Sequence, residues 1–244
     1  MIGHGCALVL YGRVPRPGAV KTRMLPWLNT AEALALHLAL LEDSIHLLKR
    51  AAEMAGALPV IAFSEPWDPE AGGEPLAQAA AGVTRLPQEG EDLGERLGNS
   101  CADLSQQGQR GVVIFGSDSP TLPPERLQLA CERLSAGADL VLGPAEDGGY
   151  YLIGLRRAIP GLFTAIPWGT SGVWEATLKA ARRAGLRPEI LPSWYDVDRP
   201  ADLVRLRDDL GRSADFEPAK TAAFIERLAR EGRLPPPPSP RGRA

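Results

Sequence analysis

Residues 111–120, Gly-Val-Val-Ile-Phe-Gly-Ser-Asp-Ser-Pro, decide the fold. The run Val112, Val113, Ile114, Phe115 is apolar without alternation. A strand with one wet face alternates; a strand covered on both faces does not need to. Gly116 to Pro120 then breaks the run with a polar turn carrying Asp118. Pro123 and Pro124 open a helix whose stripe is Leu127, Cys131 and Leu134, with Gly137 as its stop. Buried strand, polar turn and amphipathic helix together make one α/β unit.

The same unit repeats on either side. Residues 6–10 read as a first buried strand. Asn29 and Glu32 form a capping box, and Leu34, Leu38, Leu41, Ile45 and Leu48 follow as a helix stripe ending at Gly56. His37 and His46 belong to that helix, solvated or partly buried. Strands are expected at 58–63 and 83–86, joined by a loop rich in Pro, Gly and Glu over 64–75. Asp92 caps a helix with the stripe Leu93, Leu97, Cys101 and Leu104. Strands at 139–143 and 150–155 flank a turn at 144–149, a spacing that permits one antiparallel neighbour. An irregular segment at 167–172, a helix to Ala184, a strand at 186–191 and helices ending at Leu210 and Arg230 complete the chain. Alternating strands and helices on short connections predict an α/β three-layer sandwich with a mostly parallel sheet. Residues 1–232 read as one domain and 233–244, with four consecutive prolines, as a disordered tail.

Bulk properties narrow the function. The chain has 244 residues, 44% of them hydrophobic, which suffices for one large core. A net charge of −3 gives no global case for nucleic acid or a membrane surface. Cys6, Cys101 and Cys131 are odd in number and far apart, as for reduced thiols of a cytoplasmic protein. No leader pattern is indicated, and no stretch approaches the ~18 apolar residues of a spanning helix. The sequence does not speak to oligomeric state.

Against that mildly acidic background stands a cationic stretch after the first strand, residues 11–23, with Arg13, Arg16, Lys21 and Arg23. Proline stiffens it, and such a loop is a natural grip for phosphate. It is neither a P-loop nor a G-x-G-x-x-G dinucleotide turn. Three acidic loops follow later strands. Asp118 leaves a buried strand, where it could hold a hard cation or simply cap the next helix. Glu146 and Asp147 precede Gly148 and Gly149, which suits close approach of backbone to a ligand or a plain turn. Asp196 and Asp198 face one side if extended, or cap the helix at Pro200. Taken jointly, cations after the first strand and acids after later ones converge on the carboxyl edge of the sheet. A metal between Asp118 and the Asp196/Asp198 pair could neutralise a diphosphate leaving group.

These motifs resemble the bacterial glycosyltransferase-like family found with arsenosugar biosynthesis genes, within the GT-A, nucleotide-diphospho-sugar transferase superfamily. The likeness spans about residues 6–210. It rests on Pro15, Pro17-Gly18 and Val20-Lys21-Thr22-Arg23; on Gly90 with 92–97; on 116–120; on 146–154; and on Asp196-Val197-Asp198 with Pro200 and Asp202-Leu203. The family is similar to nucleotidylyltransferases such as phospholactate guanylyltransferase. The resemblance implies a GT-A fold, Mg²⁺ or Mn²⁺ at Asp118 completed by Asp198, and a nucleotide diphosphate near Lys21 and Arg23. It implies that Gly94, Glu95 and Arg96 line the nucleotide pocket, with Arg13, Gly18 and Ser117 nearby. It puts Asp147 and the Trp168 loop beside the second substrate, with Glu146, Gly148, Gly149 and Thr170 on that side. Gly169 departs from the family, which more often shows serine after the tryptophan.

Three readings follow. The first is a metal-dependent glycosyltransferase acting from a nucleotide sugar on a small-molecule acceptor, with Asp118, Asp147 and Lys21 in the chemistry. The second is a nucleotidylyltransferase joining a nucleoside triphosphate to a phosphorylated acceptor. The third is a non-catalytic nucleotide-binding module.

Overall fold

The computed structural model describes residues 5–25, 27–66, 73–210 and 218–236. Seven strands form one sheet in the order β3-β2-β1-β4-β6-β5-β7. They are β1 (Ala7–Gly12), β2 (Leu58–Phe63), β3 (Thr84–Pro87), β4 (Val112–Gly116), β5 (Leu140–Pro144), β6 (Tyr150–Leu155) and β7 (Glu189–Ile190). All neighbours pair in parallel except β6, which runs antiparallel to both β4 and β5. The hairpin spacing expected around residues 144–149 is thus realised. The last strand is two residues long rather than the six expected, because only Glu189 and Ile190 pair with β5.

Continuous apolar strands need cover on both sides, and they have it. Leu8, Leu10 and Val113 face one core with Leu41, Ile45 and Leu48 of α1 (Thr30–Ala55) and Leu127, Cys131 and Leu134 of α4 (Pro124–Ser135). Ala7, Val9, Val112 and Ile114 face the other core, with Leu97, Cys101 and Leu104 of α3 (Leu93–Gln106) and Ala180 and Ala181 of α5 (Val173–Arg183). The three cysteines are buried and free. A short helix α2 (Glu74–Ala79) starts inside the expected 64–75 loop, with Pro75 in its first turn. Residues 67–72 of that loop lie outside the described ones.

The helix α1 departs from a single-stripe reading. Leu41, Ile45 and Leu48 are buried as expected, while Leu34 and Leu38 are only half-buried. A second face, Ala33, Leu36 and Leu40, is buried against Tyr195, Val197, α6 (Pro200–Asp209) and α7 (Ala219–Arg230). Two buried faces on one helix exceed what a lone amphipathic stripe encodes. Asp43 of α1 accepts from the backbone N–H of Lys220 and Thr221 at 3.1 and 2.7 Å, and so satisfies the first turn of α7. Burial pushes its carboxyl above the ordinary range even though Thr221 and Lys220 pull it down.

The capping box at Asn29 and Glu32 forms as read. Glu32 does a second job. Its carboxylate binds both amino groups of Arg233, with Nη2 to Oε2 at 2.9 Å, and the indole of Trp27 donates to the Arg233 carbonyl at 2.9 Å. Leu234 packs on the cluster that holds Leu36, Leu40 and Val197, and Pro235 is buried. The expected tail boundary at 233 therefore falls too early, because Arg233 has an anion and Leu234 a core to meet. Residues 237–244 lie outside the described ones.

Hydrogen bonds from Arg233, then from Asn29, hold Glu32 near a pKa of about 2, well below the usual carboxylate range. A depressed acid stabilises the fold fully above its unfolded value and loses that contribution as pH falls toward about 2. Glu32→Gln is therefore expected to lower the urea midpoint at pH 7. Its deficit against the parent should shrink between about pH 4.5 and 2. A deficit constant over that window in urea titrations would remove the ion pair from the account.

Candidate active site

The order of the strands puts a switch point between β1 and β4, since the chain runs outward from β1 to β3 before returning to β4. Ligands of open α/β sheets sit outside the carboxyl ends of strands at such a point. A cleft of about 1070 Å³ lies there. One bank is the loop after β1, the floor is the loop after β4, and the far bank comes from residues 147–150 and 168–173.

Local backbone chemistry aims the loop after β1. Gly18 has φ of 75°, a left-handed value that glycine takes at little cost, and it completes a turn. Its role is that turn; it does not line the cleft. Lys21 is also left-handed, at φ 48° and ψ 37°, which costs a non-glycine residue about 1–3 kcal/mol. Lys21 opens a 3-10 turn, Thr22–Met24, and Met24 is fully buried beneath it. His37 of α1 donates from Nε2 to the Arg13 carbonyl at 3.0 Å and anchors the start of the loop.

The kink directs the Lys21 ammonium onto the acids. Nζ lies 2.5 Å from Asp118 Oδ1, 2.7 Å from the Val197 carbonyl and 3.1 Å from Asp198 Oδ1. Arg23 approaches Asp198 Oδ2 at 3.5 Å. The Lys21 side chain is only 4% exposed, whereas Asp118 and Asp198 keep 41% and 34% of theirs open to the cleft. Burial alone would lower the Lys21 pKa, but Asp118 and Asp198 hold it above its ordinary value. Burial would likewise raise Asp118, and Lys21 keeps it below the usual carboxylate range. Val197 N–H also donates to the Asp118 carbonyl at 2.8 Å, which locks the two acidic loops together. Asp196 and Asp198 are not helix caps. Asp202 takes that role, accepting from the N–H of Asp198 and Arg199.

The three acids expected around a metal lie near one another but differ in their partners. Asp118 and Asp198 share one cation, whereas Asp196 accepts from the Ser119 hydroxyl at 2.6 Å and faces a smaller adjoining pocket. Burial, and the crowding of Asp118, Asp147 and Asp198, raise Asp196 to about 7 despite the Ser119 bond. Among the described residues no group of three or more His, Cys, Asp or Glu forms a metal cage. Val197, between the two aspartates, is fully buried.

Other expected residues sort cleanly. Arg13, Arg23, Arg96, Ser117, Asp147, Gly149, Trp168 and Thr170 all line the cleft with Lys21, Asp118 and Asp198. Arg16 lines it too, paired with Glu65 at 2.5 Å. Gly94 and Glu95 do not line it. Gly94 is there for packing: a Cβ on it would stand 2.9 Å from Phe163 Cβ. Glu95 turns back to accept from the Glu91 N–H. Gly148 likewise lets backbone approach backbone, since a Cβ there would meet the Ser171 carbonyl at 2.7 Å. Glu146 is bound by Arg205 at 2.6 and 2.9 Å, and Arg205 lies over the Tyr195 ring. Asp147 is exposed and oriented by the Gly149 N–H at 3.0 Å. Thr170 Oγ1 donates to Pro167 O within its own turn. Gly169 sits at φ 77°, so its departure from serine has a backbone reason.

Sequence reasoning missed Tyr11, Gln88, Leu93, Tyr150 and Val173, which also line the cleft. Leu93 was read as part of a buried stripe, yet it is 39% exposed. As the first residue of α3, beside an Asp cap, it had a signal for the helix end but none for the cleft.

Comparison with known proteins now bears on this geometry. The family of uncharacterized proteins conserved in bacteria, DUF2064, matches residues 47–170. The chain belongs to DUF2064. A crystal structure from Desulfovibrio desulfuricans G20, provisionally assigned as a nucleotide-diphospho-sugar transferase, superposes with a TM-score of 0.81. It is 31% identical, over 93% of this chain and 96% of the other. A cytidylyltransferase of Leptospira borgpetersenii serovar Hardjo-bovis gives 0.56 at 12% identity, over 95% and 96% of the two chains. A 4-diphosphocytidyl-2C-methyl-D-erythritol synthase gives 0.54 at 16%, over 86% and 99%. These two share the fold. No curated protein matches the sequence. This DUF2064 chain thus has the nucleotide-diphospho-sugar transferase fold that the motifs implied. Among its described residues no helix is long and apolar enough to cross a membrane.

Lys21→Met leaves Asp118 and Asp198 facing each other without their cation. Full burial of such a pair would cost about 3–5 kcal/mol. Because both carboxylates stay open to the cleft, about 1–2 kcal/mol at pH 7 is expected instead. Adding Mn²⁺ should raise the melting temperature of the variant more than that of the parent. Equal shifts in a thermal melt would show that Lys21 does not hold the acid pair.

Proposed function

We propose that this protein is a divalent-cation-dependent transferase that moves a sugar from a nucleotide diphosphate to a small acceptor. The observation carrying the reading is the convergence of Lys21, Asp118 and Asp198 at the switch point, ringed by Arg13, Arg16 and Arg23. The 31% identical Desulfovibrio protein, assigned to the same donor class, supports it.

The donor set fits a hard cation. Asp118, Asp198 and the Val197 carbonyl offer only oxygen, and they already hold an ammonium. Asp118 and Asp198 would hold Mg²⁺ or Mn²⁺, with phosphate oxygens and water filling the other positions, as magnesium sites commonly do. Bound there, the ion supplies Lewis-acid neutralisation of the leaving diphosphate. Lys21 has two sets of anions within the cleft to choose from, its carboxylates and the ligand's phosphates. Arg13 and Arg23 flank the same space and bind phosphate oxygens. Arg96, Gln88 and Leu93 form the wall beside β3 and receive the nucleoside. Asp147 stands on the opposite bank, where it orients the acceptor hydroxyl and takes its proton.

A second reading has its own observation. Four cations after β1 suit a triphosphate, so nucleotidyl transfer with release of pyrophosphate is the alternative. The protein incubated with Mg²⁺ and panels of nucleotide sugars and nucleoside triphosphates separates them. Release of nucleoside diphosphate with a glycosylated product supports the proposal, and pyrophosphate supports the alternative. Nucleotide binding without turnover and without metal dependence would make the protein a binding module. Asp118→Asn is expected to abolish the metal-dependent part of nucleotide affinity in calorimetry. Asp147→Asn should lower kcat about 10²–10⁴-fold with little change in KM for the donor. A KM effect alone would make Asp147 a binding residue.

A further inference from the structure

We infer that the acceptor is a hydroxyl compound without phosphate or carboxylate, either neutral or cationic. This rests on the transferase reading above and adds the charge class of its second substrate.

The cleft is electrically lopsided. The loop after β1 contributes Arg13, Arg16, Lys21 and Arg23, while the far bank contributes one charged side chain, Asp147. The rest of that bank is Gly149, Tyr150 and residues 168–171 with Val173, none of them basic. Two aromatic rings dominate it. Tyr150 and Trp168 meet edge to face at 88°, with centroids 6.3 Å apart, and Trp168 also leans on Phe163 at 6.2 Å. Aromatic faces carry negative quadrupole density, so they attract cations and C–H groups and repel anions. A carboxylate beside such rings suits a polyol or an amine.

A smaller pocket of about 240 Å³ adjoins Asp147. It offers Glu146, Asp147, Asp196, Asp198 and Asp202 against Arg23, Arg199 and Arg205. Arg205 is taken by Glu146 and Arg23 leans on Asp198, so those two guanidiniums are already matched. Arg199 lines both the cleft and this pocket, next to Asp198 in the chain. A phosphorylated acceptor reaching Asp147 would meet that carboxylate with no basic side chain on its own bank to offset it, and like charges at close range are disfavoured.

The far bank is also built to hold its shape. Trp174 N–H donates to the Gly148 carbonyl at 3.0 Å, and Gly148 fits against Ser171 with no room for a Cβ. Rings and carboxylate therefore keep a fixed relation. In the reaction, the acceptor oxygen bonds to the anomeric carbon and the bond from that carbon to the β-phosphate oxygen breaks. The nucleoside diphosphate leaves with the electron pair, and the acceptor proton passes to Asp147 and on to solvent.

Two measurements test the inference. In the first, acceptors are supplied in matched pairs with a nucleotide sugar and Mg²⁺: glycerol against glycerol 3-phosphate, and glucose against glucose 6-phosphate, each member keeping a free hydroxyl. The unphosphorylated member is expected to stimulate nucleoside diphosphate release at least about 10-fold better, the factor that about 1.4 kcal/mol of discrimination gives. An equal or better phosphorylated member overturns the inference. The second measurement needs no turnover. Fluorescence of the parent minus that of Trp168→Phe isolates Trp168; with each ion's quenching constant divided by its value for free N-acetyltryptophanamide, caesium should quench that component more than iodide does. Stronger quenching by iodide overturns the inference even if no donor is turned over. A protein that turns over no nucleotide sugar yet shows the caesium preference refutes the transferase reading and leaves the charge of this bank established.

Discussion

The closure of the Lys21 ammonium on Asp118, Asp198 and the Val197 carbonyl is the constraint on which the rest of the site depends. A buried ammonium without anions would be untenable, and two adjacent carboxylates without a cation nearly so. Each group is therefore a condition for the others. The left-handed backbone at Lys21 is the visible cost of bringing them together. Strain of this kind persists only where the surroundings over-determine it. Here they do, through Met24 packed beneath the turn and His37 fastened to the Arg13 carbonyl.

The sheet supplies the rest of the geometry. The strands β1 and β4 deliver the cationic loop and Asp118 side by side, because they are register neighbours over five residue pairs. The antiparallel β6 then brings Tyr150 and the 146–149 turn to the same edge, since its start lies where the parallel strands end. One reversed strand thus lets the chemistry of the hairpin face the chemistry of the switch point. The helices α6 and α7 complete the arrangement from outside. By burying Val197 and Tyr195 against α1 they fix the height at which Asp196 and Asp198 emerge.

Much of this was legible in the residues. The unbroken apolar run before Asp118, the capping box at Asn29 and the stop glycines gave the layers and the order of elements. The motifs gave Lys21, Asp118, Asp147 and Asp198 as cleft residues. What was not legible depends on distant partners. The glycines Gly94 and Gly148 read as ligand contacts, yet their neighbours are Phe163 and Ser171, tens of residues away in the chain. Asp196 and Asp198 share a spacing but not a hydrogen-bond partner, the first bound by Ser119 and the second by Lys21. The second buried face of α1 exists because the C-terminal helices return to it. The pairing of Glu146 with Arg205 could not be inferred from either residue alone.

The bond from Val197 N–H to the Asp118 carbonyl has a wider consequence. With its own carbonyl turned to Lys21, Val197 joins three loops through a single residue. None of those loops can be reshaped without disturbing the other two. Residues 168–171 carry no such obligation to the cation site and touch it only across open cleft. A change there meets the Gly148 turn first, through Ser171, and leaves the Lys21 cluster its own contacts. The molecule is in this sense a fixed engine with a separate fitting.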